Sequence, residues 1–287
     1  MKTKKIAIIG SEGYVGSAFK RMVEDKYEVV SYDPKLGDKS ATKEQVNRCD
    51  LAVVAVPTPL GKEYVEIDGL RVYQGDTSIV EECVSWLETP VILIKSTIEI
   101  GTTERLKEKY HKRIVFSPEY FSEGGYKVSE RMRFHTDMGA TPFLILGGNQ
   151  EDCQYIFDLL VPILGPEKTY FQTDSRTAEF IKYKENDYFA HKVVWAAEFR
   201  QDAEVLGVNY YDAWLGWALD PRVDKMHTAV FKGNEGFSGF CLPKDLNALC
   251  FKLISQGFIP EFQIAMLKKN LKLRGIDDYQ ELSGKKN

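Results

Sequence analysis

Short apolar runs alternate with segments of helical spacing along most of this chain. Ile6-Ala7-Ile8-Ile9 reads as a fully buried strand, and Phe19, Met22 and Val23 give the segment behind it one apolar face. Glu28 to Tyr32, Leu51 to Val56, Val91 to Ile94 and Arg113 to Phe116 come next as strands, with Thr77 to Leu87 and Thr102 to Tyr110 helical between them. Phe143 to Leu146 then predicts a strand, Gln150 to Leu164 a helix, and Lys168 to Phe171 a last short strand. Such alternation predicts an α/β fold: a Rossmann-type doubly wound parallel sheet covered on both faces. From Asp174 or Ser175, either of which suits a helix cap, a long helical segment reaches about Leu206 and opens a mainly helical domain. The expected division is residues 1–173 and 174–287.

Composition narrows the function classes. At 287 residues, 44% hydrophobic and 28% charged, the chain is globular and long enough for two domains. A net charge of −4 gives no electrostatic footprint for nucleic acid. No apolar run approaches a membrane span, and the lysines before Ile6 lead too soon into glycines for a signal peptide. Five cysteines, an odd number without close pairing, predict neither a disulfide framework nor a zinc site. They fit a reducing, cytoplasmic setting, and no metal is expected.

The first strand leads into Gly10-Ser11-Glu12-Gly13-Tyr14-Val15-Gly16 and a helix, the arrangement that sets a pyrophosphate on helix N–H groups. The spacing is one residue longer than G-x-G-x-x-G, which alters the path of the turn more than its use. Asp33 closes the second strand, where a carboxylate accepts from both ribose hydroxyls and repels a 2′-phosphate. The expected cofactor is therefore NAD rather than NADP. Three later strand ends carry polar groups: Pro57-Thr58-Pro59, Ser96-Thr97, and Ser117-Pro118-Glu119 with Glu123. In an open α/β sheet, ligands bind at those carboxyl ends.

A second centre of chemistry lies at Gly236-Phe237-Ser238-Gly239-Phe240-Cys241-Leu242-Pro243-Lys244-Asp245. Pro243 suits a first helical turn, Leu246, Leu249, Cys250 and Leu253 continue the helix, and Gly257 ends it. Cys241 then sits beside a helix N-terminus, which favours thiolate, with Asp245 one turn on. Lys182 and Asn186, four apart, share a face of the long helix.

In this order and spacing, GSEGYVG, VPTP, STIEIGT, SPEYFSEGG, AEFIKYKEN, LDPR and GFSGFCLPKD resemble the UDP-glucose/GDP-mannose dehydrogenase family from residue 6 to about residue 250. The resemblance implies a Rossmann domain, a helical middle domain that dimerises through its long helix, and a C-terminal domain for the nucleotide sugar. The stretch after Cys241 is too short for another α/β layer, so the chain reads as a short form, expected either to hold the nucleotide part weakly or to have its pocket completed by a partner chain. STIEIGT lacks the prolines of the family's STVPPGT, which implies a looser loop. Ser238 stands where glycine is common, and one extra residue lengthens the loop between Gly233 and Gly236.

The reaction implied is the four-electron oxidation of a sugar's primary alcohol, UDP-glucose for example, to a carboxylate. By resemblance Cys241 is the nucleophile, Lys182 and Asn186 stabilise the oxyanion, and Asp245 and Thr97 hold the water. Glu123 is the implied general base, and Glu119, Phe121, Lys182, Asn186, Arg222 and Gly239 meet the substrate, Arg222 across a dimer. Gly10, Gly13, Tyr14, Val15, Gly16, Asp33, Pro57, Thr58, Ser96 and Thr97 are the residues expected at NAD. Two alternatives stand beside this: a β-hydroxyacid-type dehydrogenase with a single hydride transfer, and a non-catalytic NAD-binding regulatory subunit.

Overall fold

Strand β1 (Lys5–Ile9) is buried from Ile6 onward because neighbours flank it on both edges and helices cover both faces. In the computed structural model, which describes residues 4–121 and 136–282, it pairs in parallel with β2 (Glu28–Tyr32) and β3 (Leu51–Val54). Ile6 and Ile8 face α1 (Tyr14–Val23), while Ala7 and Ile9 face the opposite layer, to which Val46 of the short α2 (Lys43–Val46) belongs. That two-sided burial is why the strand reads as an unbroken apolar run.

After β3 the chain makes a hairpin, β4 (Leu60–Ile67) and β5 (Leu70–Gly75), before α3 (Ser78–Trp86) and β6 (Ile92–Ile94) return it to the main sheet. Then come α4 (Thr102–Tyr110), β7 (Ile114–Phe116), β8 (Phe143–Gly147), α5 (Gln150–Leu164) and β9 (Thr169–Thr173). The strand order is β2-β1-β3-β6-β7-β8-β9. This is the expected Rossmann-type sheet, mostly parallel, with one reversal: β8 runs antiparallel to β7, and β9 is again parallel to β8.

The chain divides into two compact units, Met1–Thr58 with Asp76–Lys182, and Pro59–Gly75 with Tyr183–Asn287. The long helix α6 (Ser175–Val205) contributes to both, its first turn capped by Asp174 Oδ1 on the Thr177 N–H at 2.9 Å. In the first unit, Glu179 of α6 is wholly buried and holds the start of α4. Its carboxylate accepts from Gly101 N (2.5 Å), Thr103 N (2.8 Å) and Thr103 Oγ1 (2.6 Å). Burial pushes the Glu179 carboxyl up from its ordinary value, and the three donors pull it part of the way back.

The second unit contains the hairpin, α7 (Tyr210–Trp217), α8 (Cys241–Ser255) and α9 (Glu261–Arg274). Asp68 and Gly69 both adopt positive φ, which makes the tight two-residue turn whose twist matches the strands. Leu70, Val72 and Tyr73 of β5 join Leu246 and Cys250 of α8 and Ile264 and Leu267 of α9 in one core. Trp217 of α7 covers Trp195 and Phe199 of α6, with ring centroids 5.0 and 6.3 Å apart. Among the described residues no helix is long and apolar enough to cross a membrane, and no cluster of three or more His, Cys, Asp or Glu could hold a metal ion.

The Glu179 clamp makes a stability prediction. Glu179→Ala leaves the Gly101 and Thr103 donors without their acceptor and should cost about 1–3 kcal/mol, seen as a lower urea midpoint at unchanged slope. An unchanged midpoint would show that the clamp contributes nothing.

Candidate active site

The glycine turn after β1 is built by close backbone approach. Gly10 has φ +85°, and a Cβ there would lie 2.4 Å from the Ala55 carbonyl oxygen. A Cβ on Gly16 would lie 2.1 Å from the Gly10 carbonyl oxygen, so only glycine lets α1 start against the turn. Gly13 is the N-cap of α1, with no side chain bonded to the cap and no acidic residue in the first turn. Tyr14 and Val15 open the helix, and Tyr14 is exposed with its ring 5.1 Å from that of Phe121. A helix start left in this way suits an anion.

Asp33 is buried at the end of β2 and ties the turn together. Its Oδ2 accepts from Glu12 N and its Oδ1 from Lys35 N, both at 2.9 Å. A carboxylate has about four acceptor positions, so two of them serve the protein and capacity is left for hydroxyls. Glycines that a Cβ would fill, an uncapped helix start and an adjacent carboxylate together fit a dinucleotide.

The strand ends of the first unit are more occupied than the sequence suggests. Pro57 is exposed and Thr58 half-buried. The Ser96 hydroxyl donates to the Val56 carbonyl at 2.7 Å, so it holds the exit of β3 beside that of β6. Thr97 is half-buried just beyond it. Glu119 points inward: its Oε1 accepts from Tyr120 N (2.8 Å) and Phe121 N (2.6 Å), and its Oε2 lies 3.0 Å from Lys95 Nζ. Lys95 also donates to the Ser117 hydroxyl at 3.2 Å and the Pro118 carbonyl at 3.0 Å. A buried ion pair with added hydrogen bonds fixes the path of residues 117–121. Lys182 is buried, its Nζ 5.2 Å from the centre of the Tyr120 ring.

In the second unit, Cys241 is the first residue of α8 and is exposed. No side chain caps this helix and no acidic residue lies in its first turn, so Cys241 sits at the positive end of the helix dipole. One turn on, Asp245 is 1% exposed. Its Oδ2 accepts from Asn186 Nδ2 at 2.5 Å, and its Oδ1 pairs with Lys244. A buried carboxylate needs such donors, and these fix its direction.

A model of this second region, the central domain of the UDP-glucose/GDP-mannose dehydrogenase family, matches residues 176–272, and the NAD binding domain of the same family matches residues 21–160. The chain belongs to the UDP-glucose/GDP-mannose dehydrogenase family. It is 28% identical over 217 residues to the UDP-glucose 6-dehydrogenase of Campylobacter jejuni, covering 75% of this chain and 51% of that one. It is 27% identical over 237 residues to the UDP-glucose 6-dehydrogenase TuaD of Bacillus subtilis, covering 80% of this chain and 48% of that one. The chain thus spans about half the length of these relatives. Its fold is similar to a UDP-glucose dehydrogenase from the archaeon Pyrobaculum islandicum, with TM-score 0.74, 22% identity, and coverage of 95% of this chain and 68% of that one. It is also similar to the 3-hydroxyisobutyrate dehydrogenase of Mycobacterium tuberculosis, with TM-score 0.65, 18% identity and 98% of each chain covered. Both of these likenesses are of fold.

For this family member, the remaining expected residues fall in three places. Gly239 adopts φ +80° in the loop before Cys241. Arg222, with its side chain 87% exposed, folds back on Asp220: Nε lies 3.0 Å from Oδ1 and Nη2 2.5 Å from Oδ2. Glu123 lies outside the described residues. Lys95 and Lys244, which pair with Glu119 and Asp245, are not among the expected residues. A lysine closing the apolar run Val91–Ile94, and one adjoining Asp245, are the signals that mark them.

The five cysteines separate cleanly. Burial pushes the Cys49, Cys83 and Cys153 thiols up to about 11 and Cys250 up to about 12. About a thousandth or less of each is thiolate near pH 8, while Cys241 is exposed at a helix start. Iodoacetamide should therefore label the native chain once, at Cys241, and the denatured chain at all 5 cysteines. Peptide mass mapping reads this directly, and early labelling of a second cysteine would contradict the burial pattern.

Proposed function

We propose that this chain oxidises the primary alcohol of a nucleotide sugar, of the UDP-glucose kind, to the carboxylate with NAD. The observation that carries the reading is an exposed Cys241 at an uncapped helix start, one turn from a buried Asp245 braced by Asn186 and Lys244. The Gly10–Gly16 turn and Asp33 would hold NAD, which would supply hydride acceptance when bound.

The chain's own residues do the rest. The alcohol loses a proton to water and a hydride to give an aldehyde, and the Cys241 thiolate adds to its carbonyl carbon. Lys182 Nζ and an Asn186 amide N–H donate to the oxygen of the resulting thiohemiacetal. Loss of a second hydride leaves a thioester, whose C–S bond water breaks to give carboxylate and free thiol. Asp245 and Thr97 orient that water, and Glu123 takes its proton. Each alcohol thus yields two NADH and one carboxylate.

The decisive assay offers NAD or NADP with a panel of nucleotide sugars and counts NADH against product mass. Wild type should give two NADH per carboxylate and prefer NAD. Cys241→Ser should lower carboxylate formation by about 100-fold or more while NAD still binds, because serine is a poor nucleophile near neutral pH. One NADH per product, untouched by Cys241→Ser, would replace this reading with the single-hydride reaction that the full-length fold likeness to 3-hydroxyisobutyrate dehydrogenase favours. NAD binding without any turnover would leave a regulatory subunit.

A second copy of the chain is the partner best supported. Val205, Leu206, Val208, Tyr211, Leu215 and Leu219 are exposed apolar side chains of the second unit, and a two-fold interface would cover them. Light scattering should give about twice the chain mass throughout a dilution series. A monomer at every concentration would exclude the dimer, and mass gained only with another protein would point to a partner that completes the pocket.

A further inference from the structure

The loop that delivers Cys241 is anchored by a residue no sequence motif points to. Gly236 has φ +82°, and a Cβ there would lie 2.6 Å from Asn270 Oδ1. Asn270 belongs to α9 and is wholly buried. It uses both ends of its amide on the residue after Gly236: Oδ1 accepts from Phe237 N at 2.7 Å, and Nδ2 donates to the Phe237 carbonyl at 3.1 Å. Nδ2 also lies 3.3 Å from the Tyr279 hydroxyl, which donates to the Leu267 carbonyl at 3.0 Å. Two more ties flank this one, Arg274 to Asn234 and Arg200 to Glu235. The loop is therefore pinned at residues 234, 235 and 237 by side chains of α6 and α9.

Only Ser238, Gly239 and Phe240 separate the last of these pins from Cys241. Gly239 has nothing within 4 Å of where its Cβ would lie, so no packing fixes that stretch through a side chain at this position. Phe237 supplies direction, its ring buried and stacked on Tyr279 with centroids 6.3 Å apart. An amide is the side chain that serves here, since it offers a donor and an acceptor in one plane. Aspartate keeps only the acceptor, and alanine keeps neither.

We propose that Asn270 is the positioning residue for Cys241, fixing through Phe237 the loop that presents the thiol at the start of α8. The proposal rests on reading Cys241 as the nucleophile, but its first test does not need turnover. Full-length wild type, Asn270→Asp, Asn270→Ala and Gly236→Ala would be alkylated with iodoacetamide across a pH series, with the Cys241 rate followed by mass. With substrate turnover beside it, kcat and KM would be separated.

In Asn270→Ala the Cys241 rate near neutral pH should fall by about 5-fold or more and its pH profile shift upward, as the thiol loses its place at the helix start. A small misplacement of a reacting group costs up to about 100-fold, so kcat should fall at least about 10-fold with the KM for NAD within about twofold. Asn270→Asp should lie between, because it keeps the acceptor for the Phe237 N–H. A folded Asn270→Ala with wild-type rate and pH profile overturns the proposal. If that variant does not fold, the same result in Asn270→Asp or Gly236→Ala overturns it equally. Failure of the nucleophile reading looks different: Cys241→Ser would keep full turnover while the alkylation comparison stood on its own.

Discussion

A carboxylate taken out of water must find donors, and that requirement shapes both halves of this chain. Glu119 takes Lys95 and two backbone N–H groups, and so fixes the segment after β7. Glu179 takes the start of α4, and so fixes α6 one turn before Lys182. Asp245 takes Asn186 and Lys244, and so fixes the first turns of α8. Such groups add little net stability against an apolar alternative, yet each allows one arrangement of its neighbours. Precision at the chemistry is what they supply.

The same requirement answers an expectation about the STIEIGT loop. Losing the family's prolines predicts a looser segment after Thr97. In its place Gly101 and Thr103 donate to one buried carboxylate on α6, so hydrogen bonds do what ring closure does elsewhere. The sequence contains both halves of this clamp, but the contact spans 76 and 78 residues and no local pattern announces it.

Much of the fold is legible because its signals are local. The βαβ turn, the strand runs and the cap at Asp174 depend on neighbours in sequence, and they lie within a residue or two of expectation. The reversal of β8 is not legible, since an apolar strand does not declare its direction. The hairpin is absent from the expected elements although Asp68-Gly69 between alternating apolar residues signals one. The placement of Cys241 at a helix start, with Asp245 one turn on, is legible from the glycine-rich approach and the apolar pattern behind it. The inward turn of Glu119 and the local pairing of Arg222 are not, because acceptors and donors choose partners only after the chain has folded.

The hairpin has a consequence for how the chain is made. Tyr73 N donates to Asn247 Oδ1, a partner 174 residues later, and the Tyr73 hydroxyl donates to Asp278, 205 residues later. A ribosome working at ~5–20 residues per second needs roughly 10–35 s to bring Asn247 out after Tyr73. Through that interval the first unit can close around its own sheet, while Leu70, Val72 and Tyr73 wait without the helices that will bury them. A two-stranded ribbon with an uncovered apolar face is an open template for another nascent chain. The fold therefore completes from its far end, and a translation pause after the hairpin lengthens its period of risk.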